Sequence, residues 1–365
     1  MTLSTQPLRI ALVGLGWAAT SIWLPRLTAS TSYLVVDGVD ANAMARKTFE
    51  RSLPTARIHE SIEDLDPKQV DLAVVTVPNH LHASVASSLL ASGISVFLEK
   101  PVCLDSTEAA QLARAELAST ATLLAGSAAQ YRTDVRALYE TASSLGDIRH
   151  IDISWVRARG IPGGSDWFTQ RSLSGGGALF DLGWHLIDVL SPILGGHELV
   201  HAVGTTSDDF VGDSSWGAVW KFGTPAVAHP RIDVEDNVRA FMVTDDGTSI
   251  ALRAAWASHH EHDTTKVRVE GSAGTALLEC TFGFSPDRIG GSSLIRTEAG
   301  QSVTIDFPDE EIGTEYNTQL ADIPRLLADP ASRGSAIANA GRTIDAIERI
   351  YKSANTIRRA TASTA

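Results

Sequence analysis

Cysteine is nearly absent. In 365 residues only Cys103 and Cys280 occur, too few and too far apart for a disulfide framework or a cysteine-based metal site, and this usage suits a reducing, cytoplasmic compartment. Both are expected to be packing residues. Basic charge is also short: 30 Lys and Arg stand against 43 Asp and Glu, a formal charge of −13. That is the wrong sign for a chain that neutralises phosphates along DNA or RNA, so no nucleic-acid partner is expected. No apolar run approaches the length of a membrane span, and the short polar segment Met1 to Pro7 leads at once into a strand-like run. Neither a membrane anchor nor a signal peptide is therefore expected. Internal repeats are lacking as well. What is present is 44% hydrophobic residues over a length that suits two domains with buried cores.

From Leu8 to about Ser127, short apolar runs alternate with helix-like stretches, the pattern of a parallel sheet covered on both faces. The candidate strands are residues 9–13, 33–39, 71–77, 94–98 and 121–125. After Gln130 a helix over residues 133–144 precedes alternating segments with turn signals such as Asp246-Gly247, which reads as an antiparallel sheet. Inside that region residues 178–193 look helical behind Gly175-Gly176-Gly177. Two further helices are expected over residues 316–327 and 336–354, where Leu320, Ile323 and Leu327, then Ile344, Ile347 and Tyr351, recur at i, i+3, i+7. The tail, residues 361–365, is expected to fray. The division that follows is an α/β domain over residues 1–128 and an α+β domain over 129–365 built on a large, mostly antiparallel sheet. The last helix, about residues 336–355, has the option of packing back on the first domain.

The first strand ends in Val13-Gly14-Leu15-Gly16-Trp17-Ala18-Ala19, a G-x-G-x-x-A pattern. Gly14 permits the tight turn, Gly16 lets the backbone approach a pyrophosphate, and the small Ala19 lets the next helix pack closely with its amides toward the anion. Asp40 closes the second strand, where a carboxylate accepts hydrogen bonds from ribose hydroxyls and repels a 2′-phosphate. NAD is thus favoured as cofactor; NADP stays open, because Arg46 or Lys47 could turn toward that phosphate.

Three more segments sharpen the reading: Thr76-Val77-Pro78-Asn79-His80-Leu81-His82, Glu99-Lys100-Pro101, and Gly175-Gly176-Gly177-Ala178-Leu179-Phe180-Asp181-Leu182-Gly183-Trp184-His185-Leu186-Ile187-Asp188. In this order and spacing, with Val234-Glu235-Asp236, Glu270-Gly271 and Tyr351-Lys352-Ser353-Ala354 further on, the chain closely resembles the Gfo/Idh/MocA oxidoreductases. The resemblance implies an N-terminal Rossmann domain, a C-terminal domain whose sheet often forms an oligomer interface, and a substrate cleft at the nicotinamide between the domains. It also implies a catalytic group of Lys100, Asp181 and His185. A sugar, cyclitol or related alcohol is the expected substrate, and a homo-oligomer, dimer or tetramer, the expected assembly. The cofactor would be met by Gly14, Gly16, Trp17, Ala18, Ala19, Asp40, Thr76, Pro78, Asn79, His82, Glu99 and Lys100. Trp17 departs from the pattern, a bulky residue where pyrophosphate should lie, so it must turn outward or the loop must differ.

The residue types suit the chemistry. Moving a hydride to or from an alcohol carbon also moves the hydroxyl proton, and His185 can take and return one near neutral pH. Asp181, four residues earlier, would share its helix face, while Leu179, Leu182, Leu186 and Leu190 form an apolar stripe. Asp188 could fix the imidazole tautomer or serve as a surface partner. Lys100, just past a strand's carboxyl end, could stabilise alkoxide character.

Arg132, Arg157, Arg159, Trp167 and Arg171 are candidate substrate contacts, since tryptophan can cover a sugar ring and arginine can grip a carboxylate or phosphate; solvated strand-edge arginines are the alternative. Asn79 and His82 either line the nicotinamide ribose or close the turn. His259-His260-Glu261-His262-Asp263 looks like a metal tract, but on a strand its members alternate between faces, so a polar loop is expected and no metal. Two other functions fit the same scaffold: a hydrolase or lyase using retained NAD for transient oxidation, and a cofactor-sensing regulator. The lysine, aspartate and histidine together argue against a sensor.

Overall fold

Six short strands, β1 (Leu8–Val13), β2 (Tyr33–Val39), β3 (Arg57–His59), β4 (Leu72–Val75), β5 (Ser95–Leu98) and β6 (Leu123–Ala125), pair in parallel in the order β3-β2-β1-β4-β5-β6 in the computed structural model. Residues 6–163, 167–218 and 232–362 are described; the segment before Gln6 and the end of the tail expected to fray lie outside them. The strands are apolar because helices cover both faces: Ile10, Ala11, Leu12, Leu72, Ala73, Val75, Val96 and Leu98 are all fully buried. The strand expected over residues 71–77 stops at Val75, since the Thr76 hydroxyl turns to the Gly14 carbonyl (2.6 Å) and Pro78 has no N–H to continue a ladder. β3 escapes an apolar-run search because polar contacts hold it. The fully buried Asp37 of β2 accepts from both Nε and Nη2 of Arg57 (2.7 Å each) and contacts His59 Nε2 (2.8 Å).

This sheet belongs to a compact unit made of the chain up to Gly126 and Tyr316–Gly341. The expected division put residues 316–335 in the second domain and left the last helix, about 336–355, the option of packing on the first. Their attachment here is specific: the Tyr33 hydroxyl donates to the Leu320 carbonyl, Gln319 Nε2 donates to Ala125 (3.0 Å), and the Tyr316 ring meets Trp23 edge-on at 5.6 Å. Arg333 then donates to the carbonyls of Ala121, Glu116 (2.7 Å) and Ser119 (2.9 Å), while the buried Glu116 carboxylate accepts from the Leu123 and Gly334 amides (2.8 and 2.9 Å). Periodicity marked these residues as helical but carries no address for them, which resides in these long-range polar contacts.

The second unit comprises Ser127–Glu315 and the chain from Arg342. Its sheet has eight strands, β7 (Ile148–Val156), β8 (Leu199–Ser207), β9 (Asn237–Thr244), β10 (Ser249–Ala255), β11 (Thr264–Gly271), β12 (Gly274–Cys280), β13 (Ser293–Glu298) and β14 (Gln301–Thr304), in the order β14-β13-β12-β11-β7-β10-β9-β8. All pairings are antiparallel except β7 with β10. Strict alternation buries Val238, Met242, Ile250, Leu252, Val267, Val269, Ala276 and Leu278 on one face. The other face shows the paired Val203 and Phe241, 58% and 49% exposed.

Against the expectation that no run approaches a membrane span, the stretch Arg171–Leu194 is long and apolar enough by composition, with a mean hydropathy of 1.2. Of its most apolar 18-residue window 67% is buried within this unit, where Leu179, Leu182, Leu186 and Leu190 are at most 1% exposed, so it is part of the core. Neither cysteine is in a disulfide, and both are fully buried.

Replacing Arg333 with Ala should remove donors from three carbonyls at once and destabilise the first unit by about 1–3 kcal/mol. Thermal denaturation would show this as a lower Tm, with Arg333→Lys recovering part of the loss; an unchanged Tm in Arg333→Ala would contradict the role given to this clamp.

Candidate active site

In the first unit the predicted cofactor residues gather at the carboxyl edge of the sheet, beside the β1/β4 junction where strand order reverses. This is where open α/β sheets bind ligands. Gly14 has φ +84°, and a Cβ on it would lie 2.7 Å from the Val77 amide nitrogen, so the turn excludes any side chain. Gly16 differs: a Cβ there would meet nothing within 4 Å, which leaves room for a phosphate against its backbone. Trp17 is turned outward, 42% exposed. The chain then enters a π-helical turn, Ala18–Trp23, closed by the Leu24 amide on the Ala19 carbonyl; Ala18 opens it and Ala19 is fully buried.

Asp40 holds this loop from the end of β2, with one carboxylate oxygen accepting from the Leu15 amide (2.7 Å) and the other from the Asn42 amide (2.7 Å). Its charge is thereby fixed beside the glycine turn. Arg46 bends back onto the Asp40 and Ala41 carbonyls (2.7 and 2.9 Å) and pairs with Glu60 (3.1 Å), while Lys47 is exposed.

Thr76 locks Gly14, and Pro78 leads into the short turn Asn79–Leu81, in which Asn79 is buried. His82 is buried, with Nδ1 2.6 Å from the Pro101 carbonyl and Nε2 2.8 Å from the Val77 carbonyl. Burial lowers its pKa to about 4, so the ring is neutral at pH 7 and donates to one of the two carbonyls. That position closes the turn, one of its two expected roles. Glu99 accepts from Trp23 Nε1 (2.8 Å) and from the Lys100 amide (3.0 Å), and burial raises its pKa. Its carboxyl thus orients the backbone that presents Lys100, which the cis Lys100-Pro101 peptide follows.

In the second unit, Asp181 and His185 lie where a π-helical turn (Leu179–Gly183) passes into the α-helix Trp184–Leu194. The regular helix expected over residues 178–193 is therefore widened at its start, a feature frequent at functional sites. Asp181 Oδ2 accepts from Trp256 Nε1 (2.9 Å) and lies 3.9 Å from Arg157 Nη1. Arg157 stacks over the Trp155 ring at 4.9 Å, and that ring lies 5.7 Å from the His185 ring. A carboxyl group, a guanidinium and an imidazole so placed can bind a hydroxyl and exchange its proton.

Glu235, 3% exposed, fixes this helix start. Its Oε1 accepts from the Gly177 and Leu179 amides (3.1 Å each) and from the Tyr351 hydroxyl (2.7 Å), and its Oε2 from Arg171 Nη2 (2.8 Å). Burial and the neighbouring carboxylate push the Tyr351 pKa well up, so the phenol stays protonated and donates.

The other candidates separate. Arg171 is held by Glu235 and stacks on Tyr351 at 4.5 Å, and Arg132 makes a two-nitrogen pair with Asp134 (2.9 and 2.6 Å). Trp167 leans on Phe168 at 4.4 Å, whereas Arg159 is exposed over Trp216. Asp188 is not at the surface. It is 7% exposed, accepts from Ser127 Oγ (3.3 Å), and burial pushes its pKa up to about 7. Of the His259–Asp263 tract, Asp263 is buried and accepts from the Ala158 amide (2.6 Å), while the four residues before it are exposed. Trp155 and Trp256 were missed, because a buried tryptophan beside a strand end reads as core.

The description "Oxidoreductase family, NAD-binding Rossmann fold" matches residues 8–127, and "GFO/IDH/MocA C-terminal domain" matches residues 134–277. The chain belongs to the Gfo/Idh/MocA family: it is an oxidoreductase of CH–OH groups whose first unit carries the NAD(P) site. Among its relatives, the "Putative UDP-kanosamine synthase oxidoreductase subunit" of Amycolatopsis mediterranei (strain S699) is 49% identical over 352 residues, 96% of this chain and 97% of that protein. The dTDP-3,4-didehydro-2,6-dideoxy-alpha-D-glucose 3-reductase of Streptomyces violaceoruber is 25% identical over 293 residues, 77% of this chain and 75% of that one. In fold, it is similar to the 3-ketoreductase KijD10 from Actinomadura kijaniata, solved with NADP and TDP-benzene, with a TM-score of 0.73, 18% identity and coverage of 95% and 98%.

The two glycines should separate experimentally. Gly14→Ala should lower both Tm and NAD affinity, whereas Gly16→Ala should keep its Tm and bind NAD at least tenfold more weakly by calorimetry; equal NAD affinity in Gly16→Ala and the parent would refute the phosphate cradle.

Asp188 gives a pH test. Its folded pKa near 7 lies above its ordinary 3.8, so between these values the folded state binds more protons than the unfolded one and stability falls as pH rises. Asp188→Asn should therefore melt higher than the parent at pH 8, with the difference vanishing near pH 4.

Proposed function

We propose that this chain is an NAD-preferring dehydrogenase or ketoreductase acting on a ring hydroxyl of a sugar, at position 3. The observation that carries the reading is the Asp181–Trp256–Arg157 arrangement, with His185 one turn further along the same helix. Position 3 is supported by two relatives named for reaction there, a 3-reductase and a 3-ketoreductase. NAD is favoured because Asp40 sets a negative charge beside the glycine turn and Arg46 is engaged with carbonyls and Glu60.

The bound dinucleotide supplies the hydride exchange. In the oxidative direction His185 takes the hydroxyl proton as the carbon gives up its hydride, and in reduction it returns one. Asp181, held by Trp256, orients the hydroxyl and keeps the imidazole's charge balanced. Lys100 donates to the reacting oxygen and stabilises its alkoxide character. We also assign cytoplasmic location, in keeping with two buried thiols, and a homo-oligomer formed on the sheet face that shows Val203 and Phe241.

Lys100→Ala and His185→Ala should each lower kcat by about 10² or more, with NAD affinity kept in His185→Ala. Absorbance of NADH over a panel of sugars and nucleotide sugars, with NAD and NADP in parallel, measures it; near-normal turnover in both variants would overturn the catalytic assignment.

A further inference from the structure

The second unit carries an aromatic and cationic platform that the chemistry above does not use. Phe210, Trp216 and His259 pack edge to face, with ring centroids 4.6 Å (Phe210–Trp216), 5.4 Å (Phe210–His259) and 5.5 Å (Trp216–His259) apart. Over Trp216 lies the exposed guanidinium of Arg159, 5.7 Å from the ring centre. Arg159 forms no ion pair among the described residues, unlike Arg132 and Arg171. An exposed cation over a partly exposed indole is a combination that stacks a planar base and neutralises a phosphate.

The platform is tied directly to the reacting end of the unit. Arg157, whose guanidinium lies by Asp181, donates to the Gly160 carbonyl (3.4 Å), and the next amide, Ile161, donates to the Trp216 carbonyl (3.1 Å). The Ile161 carbonyl in turn accepts from Ala218 (2.9 Å), and Ser258, which precedes His259, donates its hydroxyl to the Arg157 carbonyl (2.9 Å). Arg159 thus stands two residues from Arg157, at most about 7 Å along the backbone. The residue beside Asp181 and the cation of the platform therefore belong to one short loop.

We infer that Arg159 and the Trp216 platform bind the nucleoside diphosphate of a nucleotide-sugar substrate: Arg159 grips the diphosphate and Trp216, braced by Phe210 and His259, stacks the base. The inference rests on the sugar reading above and specifies its substrate class. It agrees with relatives whose names carry UDP and dTDP.

Calorimetry on the full chain with UDP, UMP and uridine tests this without any turnover. UDP should bind the parent more tightly than UMP or uridine. Arg159→Ala should weaken UDP at least tenfold and leave uridine unchanged, whereas Trp216→Ala should weaken all three. Arg159→Gln, which keeps a polar side chain on the loop without the charge, should reproduce the Arg159→Ala pattern. Unchanged UDP affinity in Arg159→Gln and Trp216→Ala, or no UDP binding to the parent, overturns the platform. UDP binding lost as expected, with every nucleotide sugar inert toward NAD and NADP, would uphold the platform and remove the sugar-oxidation reading instead.

Discussion

The second unit depends on one buried carboxylate. Glu235 takes four donors from three parts of the chain: two amides at the start of the helix that carries Asp181 and His185, a guanidinium from the residues before the glycines, and a phenol from the last helix. Its backbone closes the same junction, for the Ala178 amide donates to the Glu235 carbonyl at 3.0 Å, and a Cβ on Gly177 would stand 1.8 Å from that oxygen. The helix therefore begins in one position only, which sets Asp181 against Trp256. Each buried donor left without this acceptor would cost about 1–3 kcal/mol, so the four contacts act as a unit.

The first unit solves a similar problem in a similar way. There too a glycine turn opens a π-helical turn, and there too an acidic side chain at the end of an adjacent segment accepts from an amide of that turn, Asp40 from Leu15. In both places the widened turn lets the backbone leave a strand or loop and enter a helix without burying unpaired amides. Asp40 and Glu235 thus serve as parts of the scaffold as well as sources of charge.

The parallel sheet was legible because its strands are short apolar runs between helices, and the glycine turn because its spacing has a steric cause that holds in the structure at Gly14. The antiparallel sheet followed from alternation. What the sequence hid is polar and distant: β3, held by Asp37; the attachment of residues 316–341 through Arg333 and Gln319; and the burial of Asp188, which local spacing could only offer to His185 or to solvent. Arg132 and Arg171 illustrate the same limit, since an arginine near a motif reveals nothing of the Asp134 or Glu235 that engages it. The π-helical turns left no periodic trace, because one extra residue per turn over five or six positions is too short to read.

With Cys103 and Cys280 both fully buried, the folded surface carries no thiol. A single cysteine introduced at an exposed position would be the sole target of a maleimide dye or spin label, so local motion at that position can be followed without first removing native sulfur.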